Sequence, residues 1–156
     1  MKKLMFVAGA CAALCVFATA ASAETFTFVN TNSGAPDQVL LRSSNPDGRP
    51  MGATVYATKT SATFADGKKA KTSARCSNWV LPPDSQFGQS GVCEYKDANG
   101  PLYESRFTCA APTKGANGID CWGTLTGTGG AWKGRSGAFT LHTAQSGAHG
   151  EGHWND

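Results

Sequence analysis

The sequence predicts an all-β fold, a small antiparallel β-barrel of about eight strands carrying two disulfides. Three observations predict it. Glycine makes up 18 of the 133 residues that follow position 23, about twice the usual share. Apolar residues come in short runs of β-branched and aromatic side chains, cut by Gly, Asn, Asp and Pro, with no long stretch at helical period. Four cysteines follow position 23, an even number.

Residues 1–23 have the three parts of a secretory signal peptide. Lys2 and Lys3 supply a positive end, an apolar run extends from Leu4 to about Ala18, and Ala21, Ser22 and Ala23 form a small-x-small cleavage site. The apolar run is short for a membrane span, so no transmembrane span is expected once the signal is removed. Cys15 follows Leu14 and Cys11 comes too early in the run, so neither reads as a lipidation site. The remaining 24–156 is one domain's worth of chain. The leader predicts export, to the periplasm or the medium.

Along that domain, 24–30 alternates, with Phe26 and Phe28 on one face. A second strand is expected over 38–43, and 45–50 is a turn-rich break. The long strand 54–64 puts Tyr56, Ala62 and Phe64 on one face. Asp66-Gly67 is a hairpin turn signal leading into a strand over 69–76. Residues 81–91 read as a loop, because they hold two prolines, two glycines and two serines. Strands over 92–95 and 102–109 form a hairpin across Asp97, Ala98, Asn99 and Gly100. Residues 110–119 are a Pro/Gly loop, and 119–126, 138–143 and 149–154 complete the set. Closing such strands into a barrel removes exposed edges.

The cysteines are Cys76, Cys93, Cys109 and Cys121, spaced by 17, 16 and 12 residues. Export places them in an oxidising compartment, where two disulfides persist. Four cysteines allow three pairings. The sequential one is preferred because each bridge closes a short loop, but the sequence does not choose. No C-x-x-C knuckle favours metal binding by thiolates.

Two of the 14 basic residues are Lys2 and Lys3, which leaves 12 against 11 acidic ones in the domain. A near-neutral balance argues against a nucleic-acid partner, and no charge run suggests a membrane-surface helix. The glycines at 127–137 are no phosphate loop: Trp132 breaks a G-x-G-x-x-G pattern and no Gly-Lys-Ser/Thr occurs. Gly134, Arg135, Ser136 and Gly137 do not form the G-x-S-x-G elbow.

The stretch 127–141, GTGGAWKGRSGAFTL, resembles a segment of allene oxide cyclase-like and dirigent-like β-barrels, which carry a similar Gly-rich turn, an aromatic, a Gly and then a strand. The resemblance covers about 15 residues. It implies an eight-stranded antiparallel barrel with a central apolar pocket. The catalytic residues of those families lie outside the stretch, so no catalytic residue is carried over.

All three histidines, His142, His149 and His153, fall in the last fifteen residues, with Glu151 between the last two. If 144–147 forms a four-residue hairpin loop, His142 faces His149, Thr140 faces Glu151, and these side chains share a face with His153. Phe139, Leu141, Gly150, Gly152 and Trp154 form the opposite, core face. Three imidazoles and a carboxylate are a ligand set for Zn, Cu or Ni. The register puts them on the solvated side, whereas a catalytic metal needs shelter. Glu94 and Glu104 form a possible carboxylate pair, and Trp79, Trp122 and Trp132 with Tyr56, Tyr95 and Tyr103 are candidate pocket walls.

The favoured expectation is an exported, non-catalytic barrel that binds a small apolar ligand or serves a structural role in the envelope. One alternative is a secreted protein-partner module, an inhibitor or effector that uses residues 81–91. Another is a barrel isomerase or cyclase, as the resemblance implies, or a metal-dependent enzyme using the C-terminal histidine face. No cofactor is firmly implied.

Overall fold

The computed structural model describes residues 23–34, 37–41, 51–82, 85–144 and 147–155. The signal segment before Ala23, the expected turn at 45–50 and the end of the second expected strand lie outside them. The elements are β1 (Glu24–Asn32), β2 (Asp37–Leu41), β3 (Met51–Phe64), β4 (Lys69–Val80), β5 (Phe87–Asp97), β6 (Gly100–Ala110), β7 (Ile119–Gly127), β8 (Ser136–Ala144) and β9 (Gly147–Asn155), with one 3-10 turn at Gly130–Trp132 before β8.

Every pairing is antiparallel, and eight strands close into a barrel in the order β1-β9-β8-β7-β6-β5-β4-β3, with β3 returning to β1. β2 continues along the same edge of β3 that β1 occupies: Asn32 pairs with Thr58 and Asp37 with Val55. The first and last strands of the barrel are neighbours, Phe28 facing Gly150.

Alternation produces this arrangement. In β4 the odd-numbered residues from Lys69 to Arg75 are exposed, while Thr72, Ala74 and Cys76 are buried. Burying one face of each strand removes apolar surface from water at roughly 25 cal/mol per Å². The turns follow their sequence signals. Gly67 takes a φ of 84°, and the Lys68 amide donates to Asp66 Oδ1 at 2.9 Å. Asn99 N–H donates to Asp97 Oδ1 at 2.7 Å, closing the β5–β6 hairpin.

One end of the barrel is packed with aromatic rings. Phe28, Ala62, Phe64, Leu125, Phe139 and Trp154 form the buried cluster there, and Trp154 is 2% exposed. The Gly-rich segment before β8 folds over this end. Trp132 stacks on Phe64 at 6.4 Å between centroids and meets Tyr103 edge-on at 5.7 Å. Arg135 donates to Glu24 Oε2 at 2.8 Å and lies over the Trp154 ring, pinning the start of β1 to the same end.

Two cross-strand disulfides brace the interior. Cys76 bridges to Cys93 between β4 and β5, and Cys109 to Cys121 between β6 and β7. This is the sequential pairing, and all four sulfur-bearing residues are buried. Such bonds suit an oxidising environment. Among the described residues, no helix is long and apolar enough to cross a membrane.

The stretch 81–91 is corrected. Residues 87–91 belong to β5, and the connection from Val80 is short, closed by the Leu81 amide donating to the Gly88 carbonyl at 2.9 Å. Its glycines serve close packing. A Cβ on Gly91 would stand 2.6 Å from the Ser77 carbonyl and 2.7 Å from Phe107. Trp79 and Trp122 are corrected too. They point outward, 59% and 45% exposed, and line no interior pocket.

Candidate functional site

The end of the barrel opposite Trp132 encloses a cavity of about 90 Å³. Asn30 and Asn32 of β1, Tyr56 and Thr58 of β3, Gln89 and Tyr95 of β5, Ser105 and Phe107 of β6, Phe139, Leu141 and Thr143 of β8 and Ala148 of β9 line it, with Cys76, Cys93 and Cys121 of the disulfides. Each is the inward member of its strand's alternation, so eight strands converge on one space. A further void of about 30 Å³ lies deeper, between Phe28, Thr60, Tyr95, Tyr103 and Phe139.

The lining mixes apolar and polar side chains and carries orphaned acceptors and donors. Asn30 Oδ1 and Ser105 Oγ at the cavity, and Thr60 Oγ1 at the deeper void, have no hydrogen-bond partner; Asn78 Oδ1 behind Gln89 has none either. Ser105 is 1% exposed. Buried polar atoms are nearly always satisfied, because leaving one bare costs about 1–3 kcal/mol. Neighbouring groups are already engaged: Asn78 Nδ2 donates to Gln89 Oε1 at 2.7 Å, and Thr58 Oγ1 donates to the Thr31 carbonyl at 2.9 Å.

The tyrosines at this site stay protonated. Burial, with Tyr95 close by, pushes the Tyr56 hydroxyl up to about 12. Burial also raises Tyr95, against the smaller pull of Ser105, which lies beside it without completing a hydrogen bond. Tyr103, stacked on Tyr95 at 4.4 Å, is raised by burial as well. Neutral phenols donate hydrogen bonds and do not serve as bases. Among the described lining residues there is no Asp, Glu, His, Lys or Arg.

Two larger hollows lie on the outer wall, about 800 and 720 Å³, and both are wide open to solvent. They flank Glu151 of β9, whose inward neighbours Gly150 and Gly152 let the rings of Phe28 and Phe26 pack against their backbone. Glu151 lines both, His149 and His142 one, and His153 the other. An open hollow desolvates little of a ligand, so the enclosed cavity is the better-formed site.

The expected register of the terminal hairpin is observed: His142 faces His149, Thr140 faces Glu151, and Thr143 faces Ala148. His142 and His149 lie 5.7 Å apart between ring centroids. His142 is engaged elsewhere, with Nδ1 2.8 Å from Asp120 Oδ1 and Nε2 2.8 Å from the Asn117 carbonyl. Two acceptors call for two N–H donors, which favours the imidazolium, a form with no lone pair for a metal. Among the described residues, no group of three or more His, Cys, Asp or Glu converges to hold a metal ion. Glu94 and Glu104 are direct partners across β5 and β6, on the outer face.

One group went unnoticed in the sequence. Lys69, Lys71 and Arg75 alternate along β4, a signal visible in the string KAKTSAR at 69–75, and register sets Lys59 and Lys96 on either side of Ser73. No protein-family model, curated protein or solved structure matches the chain.

Proposed function

We propose that this is an exported, non-catalytic binding barrel that takes a small, largely apolar molecule bearing a hydrogen-bond donor into the open end of the barrel. The observation that carries the reading is the 90 Å³ cavity in which Phe107, Phe139 and Leu141 supply apolar contact while Asn30 Oδ1 and Ser105 Oγ stand unpartnered. Orphaned acceptors reward a ligand that satisfies them and penalise one that does not. The cavity is below the ~300 Å³ of a drug-sized site, so the ligand is a molecule of few heavy atoms or the end of a longer one that leaves through the mouth. The lack of acid or base groups in the described lining supports binding over catalysis. The resemblance of 127–141 to barrels with a central apolar pocket and the leader at 1–23 support the barrel site and the export.

Native mass spectrometry of the protein taken from the compartment of its export tests this. The expected result is a bound species that is lost in Ala148→Phe, which fills the rim, and weakened in Ser105→Ala. A bare protein that also fails to take up small alcohols, phenols or amides in a soak would overturn the reading.

A further inference from the structure

The wall formed by β3, β4 and β5 has a composition unlike the rest of the surface. The outward residues of β4 are Lys69, Lys71, Ser73, Arg75, Ser77 and Trp79, a line about 33 Å long at the strand rise. Ser73 pairs with Lys59 on one side and Lys96 on the other, which widens the basic line to three strands, about 10 Å. Lys59, Lys69, Lys71 and Lys96 are exposed and make no ion pair among the described residues. Glu94, opposite Arg75, is the acidic side chain that register brings into the patch. The line ends in apolar groups, with Trp79 59% exposed and Val92 of β5, opposite Ser77 and diagonal to Trp79, 48% exposed.

We propose that this wall docks the barrel on an anionic phospholipid membrane. Five basic side chains spread over a surface, rather than converging on a point, match a plane of diffuse negative charge better than a single phosphate. Their long aliphatic stems let the charges reach outward to headgroups. An exposed Trp at one end of the same line, four residues beyond Arg75, is the kind of side chain that settles at the boundary between headgroups and acyl chains. A single-stranded nucleic acid would also need cations and an aromatic, but it is gripped by successive stacking platforms, and this wall presents one. The surface is separate from the barrel mouth, so it stands whether or not the cavity binds a ligand.

The experiment is vesicle flotation of the processed protein, purified from cells making the full chain. The probes are vesicles of phosphatidylcholine and of equal parts phosphatidylcholine and phosphatidylglycerol. Binding is expected to the second kind alone and to weaken steeply with salt. Each basic residue near the surface contributes about fivefold in partitioning. The combined variant Lys59→Gln, Lys69→Gln, Lys71→Gln and Lys96→Gln should therefore bind roughly 600-fold more weakly. Trp79→Phe should lose a blue shift in emission that the parent shows on binding. Circular dichroism identical to the parent's confirms that these exposed replacements leave the barrel intact. Failure to float with phosphatidylglycerol, equal flotation of the four-lysine variant, or capture by oligo-dT without capture by vesicles would each overturn the proposal.

Discussion

Gly150 lies directly beneath the ring of Phe28: a Cβ added to it would stand 2.7 Å from Phe28 Cζ and 2.2 Å from the Thr140 carbonyl oxygen. The first neighbour is the end of a side chain, but the second is backbone in the β8–β9 ladder and cannot step aside cheaply. Gly150→Ala is therefore expected to destabilise the barrel by about 1–3 kcal/mol, read by urea unfolding. Glu151→Ala, on the outer face one residue away, should stay within about 0.5 kcal/mol of the parent. An equal effect at both positions would mean that the packing argument is wrong.

The two disulfides close loops of similar size, with sequence separations of 17 and 12. The chain-entropy account then gives each about 3 kcal/mol. Replacing either pair by alanines should lower stability by about that amount, and the two losses should be nearly equal. Because Cys76, Cys93, Cys109 and Cys121 are all at most 4% exposed, a mild reductant should leave both bonds intact until the barrel opens. Thiol counting under native conditions and in urea checks this.

His142 carries a pH dependence. Its hydrogen bond to Asp120 above all, and that to the Asn117 carbonyl, raise its pKa above the ordinary value. Unfolding returns it to about 6.5. The contact thus contributes fully below that pH and is lost as pH rises through the higher folded value. An NMR titration should show a raised His142 midpoint, brought down by Asp120→Asn. An unchanged midpoint in that variant would remove the assigned cause.

Trp132 is half-buried over the packed end, against Phe64, Tyr103 and Trp154. Trp132→Ala should cost about 2–4 kcal/mol, less than a fully enclosed aromatic. It should also make Tyr103 and Trp154 accessible to a soluble quencher, which the parent's plug prevents.

Much of the barrel was legible because alternation in most strands is strict. The β8–β9 register follows once the connection is placed at 144–147: period two fixes the shared face of Phe139, Leu141 and Trp154, and the length of the connection fixes which residues pair. The same reasoning failed at 87–91, where Gly88 and Gly91 read as loop punctuation. They are glycines because Ala110, Ser77 and Phe107 approach too closely for a side chain. Trp79 and Trp122 are candidate pocket walls by residue type alone, yet their parity with Arg75 and Thr124 places them outside. The cavity escaped sequence reading altogether. Asn30, Tyr56 and Ser105 meet only through closure, and no local pattern records which inward residues on separated strands will share a space.

Closure through β1 and β9 also makes the barrel a test of its own synthesis. The strand made first is left unpaired on one side until the strand made last arrives, since Glu24 finds Trp154 and Asn30 finds Ala148 only then. A chain interrupted before position 147 would expose two raw edges, on β1 and β8, each an invitation to aggregation. Those edges give proteases and chaperones a means of telling a finished molecule from a broken one.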